Sequence, residues 1–197
     1  LSPAMQPKSA RGSGAVDADF SGRARALLAA ERPLEVEALA AGFGAGLAPE
    51  VRSEWLQRAA WSSYLAQDDG SARRIGALAA DGTGDWAALG NWVAGLAAFR
   101  QNDCAAAADH FDAIGRQYAA ADLRSAAAYW AARAQVRCGH PERAAERLRA
   151  AVGRDFIIMY RHSVLDLVEG GNTWDEVVAV ARALEGAGTT ILNTGYG

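Results

Sequence analysis

Residues 91–152 carry one helix pair written twice. They read NWVAGLAAFRQNDCAAAADHFDAIGRQYAAADLRSAAAYWAARAQVRCGHPERAAERLRAAV. A shift of 37 residues lays Phe99 on Val136, Arg100 on Arg137, Ala107 on Ala144, Ala108 on Ala145 and Phe111 on Leu148. Small residues recur where helices approach closely, and large apolar residues recur at helical spacing beside them. A period of this size marks a solenoid of helix pairs, each burying its apolar face against its neighbours. Such a repeat predicts a scaffold rather than a catalytic pocket.

The rest of the chain up to residue 152 follows the same grammar. Ser, Gly, Pro and Ala dominate residues 1–17 without periodicity, which predicts a flexible leader. Asp19 or Ser21 can cap a first helix running to about Ala30. Pro33 and Pro49 stand at helix starts, where a missing N–H costs nothing. Val51, Trp55, Ala59 and Tyr64 form an apolar stripe on the helix after Pro49. The turn Asp68–Ser71 precedes a fourth helix, and a fifth runs from Trp86 through Phe99 with Trp92 and Leu96 facing inward. Trp55, Trp61, Trp86, Trp92 and Trp130 are spaced as core, with a sugar-binding platform as the alternative.

After Val152 the pattern changes. Residues 155–160, DFIIMY, read as a strand buried on both faces, as in a parallel sheet. VEGGN at 168–172 is a loop. Thr173 and Glu176 form a capping box ahead of an amphipathic helix that ends on Gly188. Residues 190–193 are a second strand, which completes a βαβ unit. The FIIMY strand is expected either to pack on the last helix pair or to expose an edge.

Composition narrows the function classes. A net charge of -3 gives no electrostatic case for nucleic acid. No apolar run reaches the roughly 20 residues that a bilayer span needs. No basic segment followed by an apolar one is present, so no signal peptide is expected within the sequence. The three histidines, His110, His140 and His162, are scattered and suggest no metal site. The two cysteines, Cys104 and Cys138, fall near one edge of the predicted solenoid. They are either a disulfide or two buried small residues.

Two resemblances follow from these motifs. Residues Trp92–Arg100, Ala105–Phe111 and Ala128–Ala134 (AYWAARA), followed by a glycine turn and PERA, resemble the N-terminal superhelical domain of soluble lytic transglycosylases over about 18–152. That family cleaves peptidoglycan with a Glu carried on a separate lysozyme-like domain, and no Glu-Ser pair occurs here. Residues from about Ala150, with DFIIMYRHSVLDLVEGG and TWDEVVAVARALEGAGTTILNTGYG, resemble part of the flavin-dependent (β/α)8 barrel of 2,4-dienoyl-CoA reductases, in the old yellow enzyme group. That resemblance implies a flavin contact for Arg161. His162 departs from the apolar residue usual there, and the family's proton-handling His-Glu-Ala-Arg segment is absent. The two patterns meet within Glu146–Gly153, so the sequence reads as a chimera.

The expected fold is therefore mainly α: a TPR-like solenoid of antiparallel helix pairs over 18–152, a leader over 1–17 and a βαβ tail over 153–197. The leading functional expectation is a non-catalytic, periplasmic scaffold that contacts peptidoglycan or cell-wall proteins and carries a non-functional reductase fragment. It needs no cofactor and has no catalytic residue or metal. The alternative is a cytoplasmic reductase fragment with FMN at Arg161. A second alternative is a TPR-like protein-interaction module.

Overall fold

The computed structural model describes residues 10–117, 121–165 and 173–196. It is mainly helical, with a two-stranded parallel sheet near the C-terminus, and its helices pack on sequence neighbours. The elements in order are α1 (Ala10–Ala29), α2 (Pro33–Phe43), α3 (Pro49–Leu65), α4 (Asp69–Ala80), α5 (Gly84–Arg100), α6 (Cys104–Gln117), α7 (Ala121–Arg137), α8 (Pro141–Val152), β1 (Met159–Leu165), α9 (Trp174–Gly186) and β2 (Ile191–Tyr196). A short 3-10 turn at Gly44–Gly46 follows α2. By compactness the chain divides after Asp103. The first unit holds α1–α5 and the second holds most of α6 and everything after it.

Local chemistry sets the helix ends. Pro33, Pro49 and Pro141 each open a helix. Asp68 caps α4 by accepting the Ser71 N–H at 3.1 Å. Its side-chain and backbone bonds to Ser71 hold the carboxyl below the usual range. At α9 the Thr173 hydroxyl accepts the Glu176 N–H at 3.4 Å, and the Glu176 carboxylate accepts the Thr173 N–H at 2.7 Å. This is the capping box legible in the sequence.

In the first unit, Phe20, Val36, Leu56, Ile75 and Val93 are fully buried among alanines. α3 packs on α4 and α5, and α4 packs on α5. At the α4–α5 crossing backbone meets backbone. A Cβ added at Gly76 would meet the Gly90 carbonyl oxygen at 2.9 Å and the Ala94 nitrogen at 3.0 Å. A Cβ added at Gly90 would meet the Gly76 carbonyl oxygen at 2.8 Å. Arg100 closes the far end of this packing. Its Nε donates to both Asp69 carboxylate oxygens at 2.7 Å, and Nη2 donates to the Tyr64 carbonyl at 2.8 Å. One guanidinium thus ties the end of α5 to the start of α4 and the last turn of α3.

In the second unit, Phe111 and Ile114 of α6 are fully buried, and the Phe111 and Trp130 rings lie 6.0 Å apart. Arg147 of α8 pairs with Asp112 of α6. α9 lies on α8, where Leu184 and Ala187 bury Ala145, with Tyr160, Val180 and Leu192 against them.

Two sequence expectations need correction. The leader expected over 1–17 overlaps α1, which starts at Ala10. Within it the Asp17 carboxylate accepts the Ala48 N–H at 3.0 Å and anchors the segment to the fold. The strand expected over 155–160 begins instead at Met159 and runs to Leu165. It is not buried on both faces either, since Phe156, Ile157 and Met159 are 59%, 63% and 58% exposed. Among the described residues β1 has one neighbouring strand, and those positions stay open. On either side of the boundary expected at 152/153, α8 and α9 share a small core around Ala145 and Leu184. The VEGGN loop lies outside the described residues.

Gly90→Ala is expected to lower stability by about 1–3 kcal/mol, since the new methyl would strike backbone that cannot rotate away. A thermal melt of the full chain reads this out. Gly42→Ala, whose added Cβ would meet nothing within 4 Å, serves as the control.

Candidate functional site

The βαβ end carries the residue that resemblance singles out. β1 pairs with β2 in parallel register, Met159 opposite Ile191 and Arg161 opposite Asn193, with an irregularity between Ser163 and Leu165. The Arg161 side chain is exposed and lies across Gly195, where an added Cβ would stand 3.6 Å from Nη2. Tyr160 points the other way, into the α8–α9 core, and burial raises its hydroxyl pKa above the ordinary value. A cavity of about 120 Å³ lined by Tyr129, Val136, Leu148, Met159 and Tyr160 lies beside the strand. It is small and almost wholly apolar. One exposed guanidinium on a two-strand ladder does not fit an FMN site, which needs an enclosed surface around the ring system.

Arg149 is the residue that sequence reasoning missed here. Its Nη1 donates to the carbonyls of Gly153 at 2.7 Å, Arg154 at 3.2 Å and Phe156 at 2.6 Å. Its Nη2 donates to the Gly188 carbonyl at 2.6 Å and to the Thr190 hydroxyl at 3.0 Å. The same hydroxyl accepts the Ile158 N–H at 3.1 Å. A guanidinium offers five donors in a fixed plane, and here they gather the turn after α8 and the approach to β2. The carbonyls of Gly153, Arg154 and Phe156 are thus taken by Arg149, whereas the Ile158 carbonyl accepts the Thr190 and Ile191 N–H groups ahead of β2. No local pattern could have revealed it, because its partners lie up to 41 residues away.

Cys104, at the start of α6, and Cys138, just past α7, are paired as a disulfide with Cα atoms 6.0 Å apart and a sequence separation of 34. The bond joins the open ends of an antiparallel pair. His110 lies on α6. The half-exposed His140 precedes α8, with Nδ1 3.4 Å from the Glu142 carboxylate. The side chain of His162 lies outside the described residues. Among the described residues no group of three or more His, Cys, Asp or Glu is placed to hold a metal ion. No helix there is long and apolar enough to cross a membrane.

The tryptophans divide. Trp55 is buried and donates its indole N–H to the Ser21 hydroxyl at 3.0 Å. Trp86, Trp92 and Trp130 are half-buried, whereas Trp61 is 38% exposed and stacks on Tyr64 with ring centroids 5.5 Å apart. Trp55 and Trp61 line a groove of about 550 Å³ between α1 and α3, with Arg25, Leu28, Gln57 and Arg58. The placing of Trp55 on the buried stripe of α3 was legible in sequence. The arrival of Arg25 from α1 was not.

Comparison with known proteins covers a part of the chain. No protein-family model and no solved structure matches it significantly. A stretch of 51 residues is 43% identical to an NADH oxidase of Thermoanaerobacter brockii. The match takes in 26% of this chain and 8% of that protein. This links part of the chain to an oxidoreductase.

Two outcomes check the site. Arg149→Lys replaces a planar fork with a point charge that cannot span these carbonyls. Proteolysis within 153–158 is expected to quicken, with a stability loss of about 1–3 kcal/mol. Thiol titration of the unreduced, denatured chain is expected to find neither cysteine free, and reduction to lower the melting temperature by the equivalent of roughly 3 kcal/mol.

Proposed function

We propose that the chain is a non-catalytic binding scaffold of helix pairs, and that β1–α9–β2 is a segment of an oxidoreductase kind that performs no hydride transfer here. The observation that carries the scaffold reading is the Cys104–Cys138 disulfide closing a helix pair. Disulfides persist in oxidising compartments, which favours a periplasmic scaffold over a cytoplasmic flavin enzyme. The finer reading is a part of a peptidoglycan-processing protein of lytic transglycosylase type. It is supported by AYWAARA at 128–134, where Ala131, Ala132 and Ala134 are buried and Arg133 stacks 4.7 Å from Trp130. The scaffold would contact wall glycan or wall-bound proteins.

The similarity to an NADH oxidase favours a second reading for the C-terminal segment. In that reading Arg161 contacts FMN once further barrel strands surround it. The segment here has two strands among its described residues, and parallel strands ordinarily lie within larger, covered sheets.

Co-sedimentation of the purified chain with cell-wall sacculi tests the scaffold. Pelleting with the sacculi is expected, and a chain that stays in the supernatant at low salt would refute it. Mixing the chain with FMN and NADH tests the second reading. A colourless chain that leaves NADH unoxidised is expected. A yellow protein that loses its colour on Arg161→Ala would reverse the assignment.

A further inference from the structure

Arg25 of α1 and Arg58 of α3 both stand over the indole of Trp55, 5.7 and 5.4 Å from its ring centroid. Arg58 also lies 5.0 Å from the Trp86 ring. The ring faces attract each cation, but two guanidiniums over one indole repel each other. Among the described residues the carboxylate beside them is Glu54, which pairs with Arg58 at 2.9 Å. Arg25 has the indole and no carboxylate. The neighbouring Arg23 is engaged elsewhere, over Phe43 and with Asp19 at 3.6 Å. Among the described residues the groove therefore keeps one positive charge without a carboxylate partner.

The remaining lining gives the ligand its shape. Trp61 exposes part of its indole at the rim, backed by Tyr64, so the ring is held flat. Gln57 adds an amide with both a donor and an acceptor. Leu28 is the one large aliphatic side chain lining the groove. An extended peptide would want a row of apolar pockets for alternate side chains, and the lining offers none. A flat indole, an amide and a free guanidinium in an open groove suit a ring with a weakly polar C–H face, hydroxyls around it and an acid group.

We propose that the α1–α3 groove binds a carboxylated saccharide. Its carboxylate takes the Arg25 guanidinium and relieves the repulsion with Arg58. Its ring stacks on Trp61, and its hydroxyls bond Gln57. Trp55 contributes the platform under the two cations rather than a polar contact, since Ser21 already holds its N–H. The inference deepens the scaffold reading and rests on it for the role of the groove.

The test is a titration of the full chain, followed by intrinsic tryptophan fluorescence, with an oligogalacturonide and with the neutral oligogalactoside of equal length. Saturable quenching by the acidic oligomer is expected, with the neutral one at least about tenfold weaker, as befits loss of a bond to a charged group. Arg25→Gln should abolish that difference. Trp61→Ala should weaken both sugars while leaving the helical circular dichroism unchanged. Equal binding of the two oligomers would overturn the proposal, as would an Arg25→Gln variant that still discriminates. Inorganic phosphate that displaces the acidic oligomer at matched concentration would also overturn it, by revealing a general anion site. Retained sedimentation with sacculi, without a response to the acidic oligomer, would remove the groove and leave the scaffold.

Discussion

The first unit depends on two glycines meeting. Where α4 crosses α5, the backbone oxygens of Gly76 and Gly90 occupy the space that side chains would need. Helices this close can align Ala72, Ile75 and Ala79 against Val93 and Ala97 without voids. Alanine-rich helices bury little area per residue, so proximity must make up for size. The Arg100 fork, set at the end of the same helix pair, then finds Asp69 and Tyr64 within reach.

Much of this architecture was legible because helix-pair repeats write themselves in period and punctuation. Pro33 and Pro49 marked two helix starts, and Thr173 with Glu176 marked a third. The helix after Pro49 buried Trp55 and Ala59 as its stripe foretold. The strand was misplaced because an apolar run states that residues can be buried, not that a neighbour exists to bury them. Phe156 and Ile157 had the composition of a core strand and lack the sheet that would make them one. The first helix was cut short for the opposite reason. Residues such as Asp17 look like linker until a distant N–H needs an acceptor.

The candidate site was less legible than the fold. Arg161 stood out by resemblance, yet its surroundings are open. Arg25 looked like any solvent-facing arginine. What distinguishes it is a meeting with Arg58 over Trp55, from a helix about 30 residues earlier in the chain. Charge convergence of this sort depends on tertiary packing and leaves no local signature.

The Arg149 fork has a consequence for how such a chain can change. Nearly everything it holds between Gly153 and Thr190 is a main-chain oxygen, the Thr190 hydroxyl being the exception. Every amino acid carries that oxygen. A joint that grips the peptide backbone is blind to the side chains attached to it, so the residues passing through can drift, or be exchanged wholesale, while the seam stays shut.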